Sequence, residues 1–185
     1  MKIVIGISGA SGTIYTKRLL EYLSEEKKFQ IYAIASKNAV KIAKSELNVD
    51  FFDFFEKLGI AYYRNDDFYS PIASGSFLVD KTIIIPCSVK TLSSIAIGYA
   101  DSLITRVCDV AIKERRPLTI CPREMPFSSI HLENMLKLAQ IGVNIVVPAP
   151  AFYGGPKTID DLVNFVVGKI LDSICIENNI YKRWK

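Results

Sequence analysis

Met1-Lys2-Ile3-Val4-Ile5-Gly6-Ile7 runs without a break into Ser8-Gly9-Ala10-Ser11-Gly12. The first part is apolar and rich in β-branched residues, as a strand buried on both faces requires. The second part is a Gly/Ser turn. Beyond it Thr13–Leu23 carries Ile14, Leu19, Leu20 and Leu23 at helical spacing. A strand, a tight turn and a helix in this order aim backbone N–H groups and hydroxyls at a helix N-terminus, where the macrodipole favours an anion. The turn predicts a site for a phosphate-bearing ligand, with a purely structural turn as the alternative.

The alternation continues along the chain. Ile31–Ala35, Thr82–Ile85, Leu118–Cys121 and Asn144–Val147 join Ile3–Ile7 as short apolar runs that read as buried parallel strands. Helical patterns lie between them. Leu103, Val107, Val110 and Ala111 form one stripe, and Ser129 opens a further helix with Gly142 as its C-cap. The last helix carries Ile159, Leu162, Val163, Val166, Ile170 and Ile174, with Thr158 as N-cap and Asp160 and Asp161 in its first turn. The expected fold is α/β: one domain over residues 1–185, with a three-layer, doubly wound parallel sheet of the flavodoxin or Rossmann type. Ligands in such sheets bind beyond the C-terminal strand ends. That selects Ser8–Gly12, Ser36–Lys37, Pro86–Thr91, Pro122–Pro126 and Pro148–Pro156. Asp50–Ser76 is irregular and aromatic, with Phe51-Phe52-Asp53-Phe54-Phe55, Tyr62-Tyr63 and Phe68-Tyr69. It reads either as a core helix plus loop or as an arm packing on a neighbouring subunit.

Composition narrows the class. Half of the 185 residues are hydrophobic and the net charge is only +4, so disorder is excluded. No Lys/Arg block interleaved with aromatics suggests nucleic acid. No apolar run reaches the ~20 residues of a membrane span, and the N-terminal run is too short for a signal peptide. A cytoplasmic protein is expected. Cys87, Cys108, Cys121 and Cys175 have no CxxC spacing and read as small buried hydrophobes. The single histidine, His131, cannot build a His-rich metal site.

The glycines at 6, 9 and 12 do not form G-x-G-x-x-G. The second strand ends at Ser36-Lys37 and not at an acid that would grip a ribose diol. A mononucleotide such as FMN fits better than NAD, with NADP left open through Lys37. Ser88 and Thr91 lie three apart at a helix start and serve either as caps or as ligand contacts. Arg123-Glu124, held between Pro122 and Pro126 at a strand end, can pair an anion-holding cation with an acid or base. Glu46 is a second candidate acid or a surface residue. Lys113 sits in a basic helix end that is ordinarily solvated. Lys169 reads as a snorkelling lysine or, with Tyr153, as a second phosphate site.

Six segments carry a resemblance: Gly6–Gly12, Ala73-Ser74-Gly75-Ser76, Pro86–Ser93, Ala111–Leu118, Pro122-Arg123-Glu124-Met125-Pro126 and Pro150-Ala151-Phe152-Tyr153. In this order they are highly specific, and over its full length the chain resembles the flavin prenyltransferases of the UbiX family. The resemblance implies transfer of a dimethylallyl group to reduced FMN and closure of a fourth ring. The donor would be dimethylallyl monophosphate, no metal would take part, and prenylated FMN would pass to a UbiD-type decarboxylase. It also implies a homo-oligomer, a dodecamer in most relatives.

Residue by residue, the resemblance places Gly9, Ala10 and Ser11 against FMN. Ser36, Ser88, Thr91 and Arg106 would hold its polar groups, with Val89 and Lys90 beside them. Arg123 would border both ligands. Lys113, Tyr153 and Lys169 would bind the prenyl phosphate, Lys169 standing where many relatives have Arg. Lysine there keeps the charge and loses the bidentate fork. Phe68 and Trp184 would flank the prenyl group. Ser11, Glu46 and Glu124 would handle protons. Two other readings remain: an FMN-dependent cysteine-decarboxylase-type flavoprotein, and a non-enzymatic FMN carrier. Both lack a need for the second basic pocket.

Overall fold

The computed structural model describes residues 1–184. Its six strands are β1 (Lys2–Ile7), β2 (Gln30–Ala35), β3 (Ala61–Arg64), β4 (Lys81–Cys87), β5 (Leu118–Pro122) and β6 (Asn144–Ile145). They form one sheet in the order β3-β2-β1-β4-β5-β6. Every pairing is parallel. The order reverses between β1 and β4, which makes the crevice beyond their C-terminal ends the expected ligand position.

Strand alternation builds a core on each face. Ile3, Ile5 and Ile7 of β1 pack with α1 (Thr13–Glu25), α3 (Phe51–Lys57) and α7 (Ile159–Ser173) on one side. Val4 points to the other side, with α4 (Val89–Ala96), α5 (Leu103–Lys113) and α6 (Ser129–Gln140). Each fully buried Ile or Leu contributes about 1.5–3 kcal/mol by leaving water. The α2 helix (Lys37–Leu47) flanks α1. The capping box at Thr158 and Asp161 fixes the start of α7 as expected, although Ile159 is exposed.

Three local expectations change. The irregular stretch contains α3, whose Phe51 and Phe55 are fully buried in the chain's own core, and the edge strand β3. After β3, Phe68 and Tyr69 remain exposed. β6 ends at Ile145 and not at Val147, because Pro148 cannot donate to a ladder. Cys175 is exposed at positive φ just after α7, whereas Cys87, Cys108 and Cys121 are buried and burial pushes their thiols well above the ordinary range. No helix among the described residues is long and apolar enough to cross a membrane.

Candidate active site

The N-terminus of α1 already holds an anion, and it is internal. Gly12 adopts φ +104° to start the helix. Glu46, in the last turn of α2, accepts from the N–H groups of Gly12 (3.1 Å) and Thr13 (2.9 Å) and from the Thr13 hydroxyl (2.7 Å). Burial alone would raise its pKa, but hydrogen bonds from Ser11, Thr13 and Gly12 outweigh that and hold the carboxyl below its ordinary value. This corrects the first expectation from the opening turn. The first N–H groups of α1 receive a carboxylate, so a ligand phosphate must use other donors.

Those donors converge one step across the sheet. A cavity of about 360 Å³ opens beyond β1 and β4 and is lined by Ser8, Gly9, Ala10, Ser36, Ser88, Val89, Lys90, Thr91, Arg123 and Glu124, among others. Ser8 ties the two strand ends together: its hydroxyl donates to the Pro86 carbonyl (3.1 Å) and accepts from the Ser88 N–H (2.7 Å). Ser36 caps α2 by accepting from the Ala39 N–H (3.1 Å). Ser88 caps α4 by accepting from the Thr91 N–H (3.3 Å). The α2 and α4 N-termini thus point at the same space, and their dipoles favour an anion there. Gly9 is required by close approach, since a Cβ at this position would lie 2.8 Å from the Asn38 Cβ.

Several cavity residues were not anticipated. Asn65 reaches across from the end of β3, accepting the Leu103 N–H at its carbonyl (2.8 Å) and the Ile104 N–H at its side chain (3.0 Å). It thereby caps α5, together with Ser102 and Thr105. Asp101 lies 3.6 Å from the Lys90 ammonium and anchors that side chain at the rim. Capping residues such as Ser102 have a sequence signature. Asn65 has none, because its partners are far along the chain.

Arg123 and Glu124 emerge from β5. The Arg123 Nε donates to the Ser11 carbonyl (3.1 Å), which joins the β5 loop to the opening turn. The Glu124 carboxylate accepts from the Met125 N–H (3.1 Å) and lines the cavity. In the loop after β6, the strand that neighbours β5, Tyr153 packs edge-on against Phe165 (5.8 Å) and Trp184 (5.2 Å). Lys169 lies on α7 with its ammonium 3.8 Å from Asp172, on the wall of a second cavity of about 610 Å³ beside β6.

Three expected site residues do not join these groups within one chain. Arg106 points at the Ala73 carbonyl (3.1 Å) and pairs with Asp109 (2.7 Å). Lys113 pairs with Glu114 at the far end of α5. That helix packs in the core on one face of the sheet, whereas α7 with Lys169 packs in the core on the other, and Lys113 lies beside Gly75. Phe68 follows β3, at the sheet edge opposite to β6. His131 is engaged in the α6 capping box, where its Nδ1 accepts from the Ser128 N–H (3.2 Å).

Known proteins match this chain along its length. The flavoprotein family model matches residues 1–171. The flavin prenyltransferase UbiX of Methanocaldococcus jannaschii is 55% identical over 184 residues, covering 100% of this chain and 98% of that protein. A dodecameric FMN-dependent UbiX-like decarboxylase from Escherichia coli O157:H7 is similar in structure with a TM-score of 0.97, at 42% identity and 100% coverage of both chains. AnUbiX (PadA1), solved with FMN and dimethylallyl pyrophosphate, has a TM-score of 0.95 at 36% identity, covering 100% of this chain and 97% of that one. The peptidyl-cysteine decarboxylase EpiD, at 17% identity and a TM-score of 0.67, shares the fold alone. With a family model across residues 1–171 and full-length relatives well above the level of shared fold, the chain belongs to the flavoprotein family and, within it, to the flavin prenyltransferases.

Proposed function

We propose that this chain transfers a dimethylallyl group from dimethylallyl monophosphate to reduced FMN and closes a fourth ring on the flavin. The observation that carries the reading is the position of Arg123. It lines the cavity over β1 and β4 and emerges from β5, the strand next to β6, after which the loop with Tyr153 follows, and this supports reading it as the cation that borders both an FMN site and a phosphate site. A cysteine decarboxylase or a carrier has no use for the second cluster.

The cavity fits FMN. Gly9 and Ala10 leave room for a flat ring, and the α2 and α4 N-termini with Ser36, Ser88, Thr91 and Lys90 offer donors to its phosphate and ring oxygens. Reduced FMN, when bound, supplies the nucleophilic nitrogen and carbon that take the prenyl unit. The chain does the rest. Arg123, Tyr153 and Lys169 stabilise the departing phosphate by charge-assisted hydrogen bonds. The rings of Tyr153 and Trp184 favour cationic character on the allylic carbon, by up to ~2 kcal/mol once water is excluded. Ser11 and Glu46 form a route for the proton released on ring closure, and the exposed Glu46 passes it to solvent. Glu124 is a second acid–base group at the cavity wall.

Lys113 and Arg106 enter this scheme from another copy of the chain. Within one chain Lys113 lies by Glu114 and Gly75 whereas Tyr153 packs on Phe165 and Trp184, and the similar Escherichia coli protein is a dodecamer. We assign a homo-oligomer on this ground, a cytoplasmic location, and a UbiD-type decarboxylase as recipient of the product. Lys113→Ala and Lys169→Ala are each expected to be inactive alone. Oligomers assembled from a mixture of the two should regain a measurable fraction of turnover, because some interfaces then carry both native lysines. Absence of any recovery in verified mixed oligomers refutes the shared site.

The Gly9→Ala variant tests the cofactor cavity. The added methyl must push Asn38 away, at a cost of about 1–3 kcal/mol of strain. Flavin fluorescence titration should show weakened FMN binding, and unaltered affinity would place the ring elsewhere. The reaction itself is tested by phosphate release from dimethylallyl monophosphate. Release should require reduced FMN, and none should occur with FMN omitted. Phosphate release that ignores the flavin would sink the reading.

A further inference from the structure

Beyond α7 the chain turns at Cys175 and doubles back along the helix it has just left. Asn178 is buried, and its side-chain amide donates to the Gly168 carbonyl (3.3 Å) and to Asp172 (2.9 Å). The Tyr181 hydroxyl donates to Asp172 (2.6 Å). The Arg183 guanidinium donates to both carboxylate oxygens of Asp172 (3.0 and 2.8 Å). The Tyr181 ring lies directly over Gly168, where any Cβ would collide with it. One carboxylate therefore gathers donors from three residues of the C-terminal segment.

The segment ends on the site. Tyr181 and Tyr153 both pack edge-on against Phe165, at 5.2 and 5.8 Å, and Trp184 packs edge-on against Tyr153 at 5.2 Å. Asp172 is also the acid nearest to Lys169, at 3.8 Å. An unpaired carboxylate there would repel a substrate phosphate. Arg183 sits closer to Asp172, at 2.8 Å, and offsets that charge, so Lys169 shares the carboxylate with a second cation.

We propose that Asp172 is a positioning residue for the prenyl-phosphate end of the site: through Tyr181 and Arg183 it holds the C-terminal segment so that Trp184 covers Tyr153, and with Arg183 it keeps the field at Lys169 positive. The inference rests on the assignment of Tyr153 and Lys169 to the donor. The clasp holds over any working pH. Burial raises the Asp172 pKa, but hydrogen bonds from Arg183, Tyr181 and Asn178 bring it down to about 2, while burial and the bond to Asp172 push Tyr181 up to about 12.

The chain has one tryptophan, exposed but held edge-on to Tyr153, so the anisotropy of the Trp184 emission reports the clasp directly. Asp172→Asn keeps the shape but turns an amide toward the Tyr181 and Arg183 donors. Its expected result is a lowered anisotropy of the Trp184 emission and a KM for dimethylallyl monophosphate raised about tenfold, with FMN affinity changed by less than about twofold. Asp172→Glu should restore part of both. If Asp172→Asn does not fold, as judged by far-UV circular dichroism, Arg183→Gln carries the same test with Asp172 still bonded to Tyr181. Unchanged anisotropy in a folded variant overturns the proposal, as does a loss of anisotropy with unchanged donor KM. Emission needs no turnover: an inactive wild type indicts the prenyl-transfer reading, whereas an active wild type with an insensitive variant indicts the clasp.

Discussion

Arg123→Ala is expected to lower turnover by about 10²–10³-fold, the loss that follows removal of one preorganised donor to a developing charge. In this reading Arg123 is the cation that borders both halves of the site, and its Nε bond to the Ser11 carbonyl fixes the guanidinium beside the opening turn. Arg123→Lys keeps the charge but loses the planar fork and the Ser11 contact, so it should recover only part of the rate. Steady-state kinetics with reduced FMN in excess reads the effect. Turnover within a few-fold of wild type in Arg123→Ala would remove Arg123 from phosphate stabilisation.

Glu46→Gln is expected to bind FMN and yet fail to complete the fourth ring. Glutamine cannot take the proton, and its NH2 group is set against the Gly12 and Thr13 donors. The same change should cost about 1 kcal/mol of stability, the value of a surface cap, since solvent screens the charge. The sign of the pH dependence follows from the lowered pKa of Glu46. Its stabilisation is present above the ordinary carboxylate pKa and is lost as pH falls through the lower folded value. The stability gap between wild type and Glu46→Gln should therefore close at acid pH. Thermal melts across pH check this, and chromatography of the flavin product checks the ring. A fully closed product from the variant would clear Glu46 of any proton role.

Buried parallel strands are legible because both faces are covered. β1, β2, β4 and β5 stand out as apolar runs for that reason. The edge strand β3 does not: Ala61–Arg64 is largely exposed and carries two tyrosines and an arginine. The cavity loops followed from the rule that ligands sit beyond strand ends, and Gly9, Ser36, Ser88 and Arg123 do line one space. What escaped were contacts between distant positions. Glu46 reaches Thr13 across 33 residues, and Asn65 reaches Ile104 across 39. Periodicity cannot show such pairs. The separation of Lys113 from Tyr153 was available in principle. The helices that carry Lys113 and Lys169 pack in the cores on opposite faces of the sheet. The role of Asp172 was not legible, because it depends on the tail folding back over Gly168.

The most direct measurement is mass spectrometry of the flavin after anaerobic incubation of the protein with reduced FMN and dimethylallyl monophosphate. Prenyl transfer predicts a gain of one dimethylallyl unit on the flavin, with release of one phosphate. Flavin recovered unmodified, with the monophosphate and the diphosphate donor alike, would contradict it.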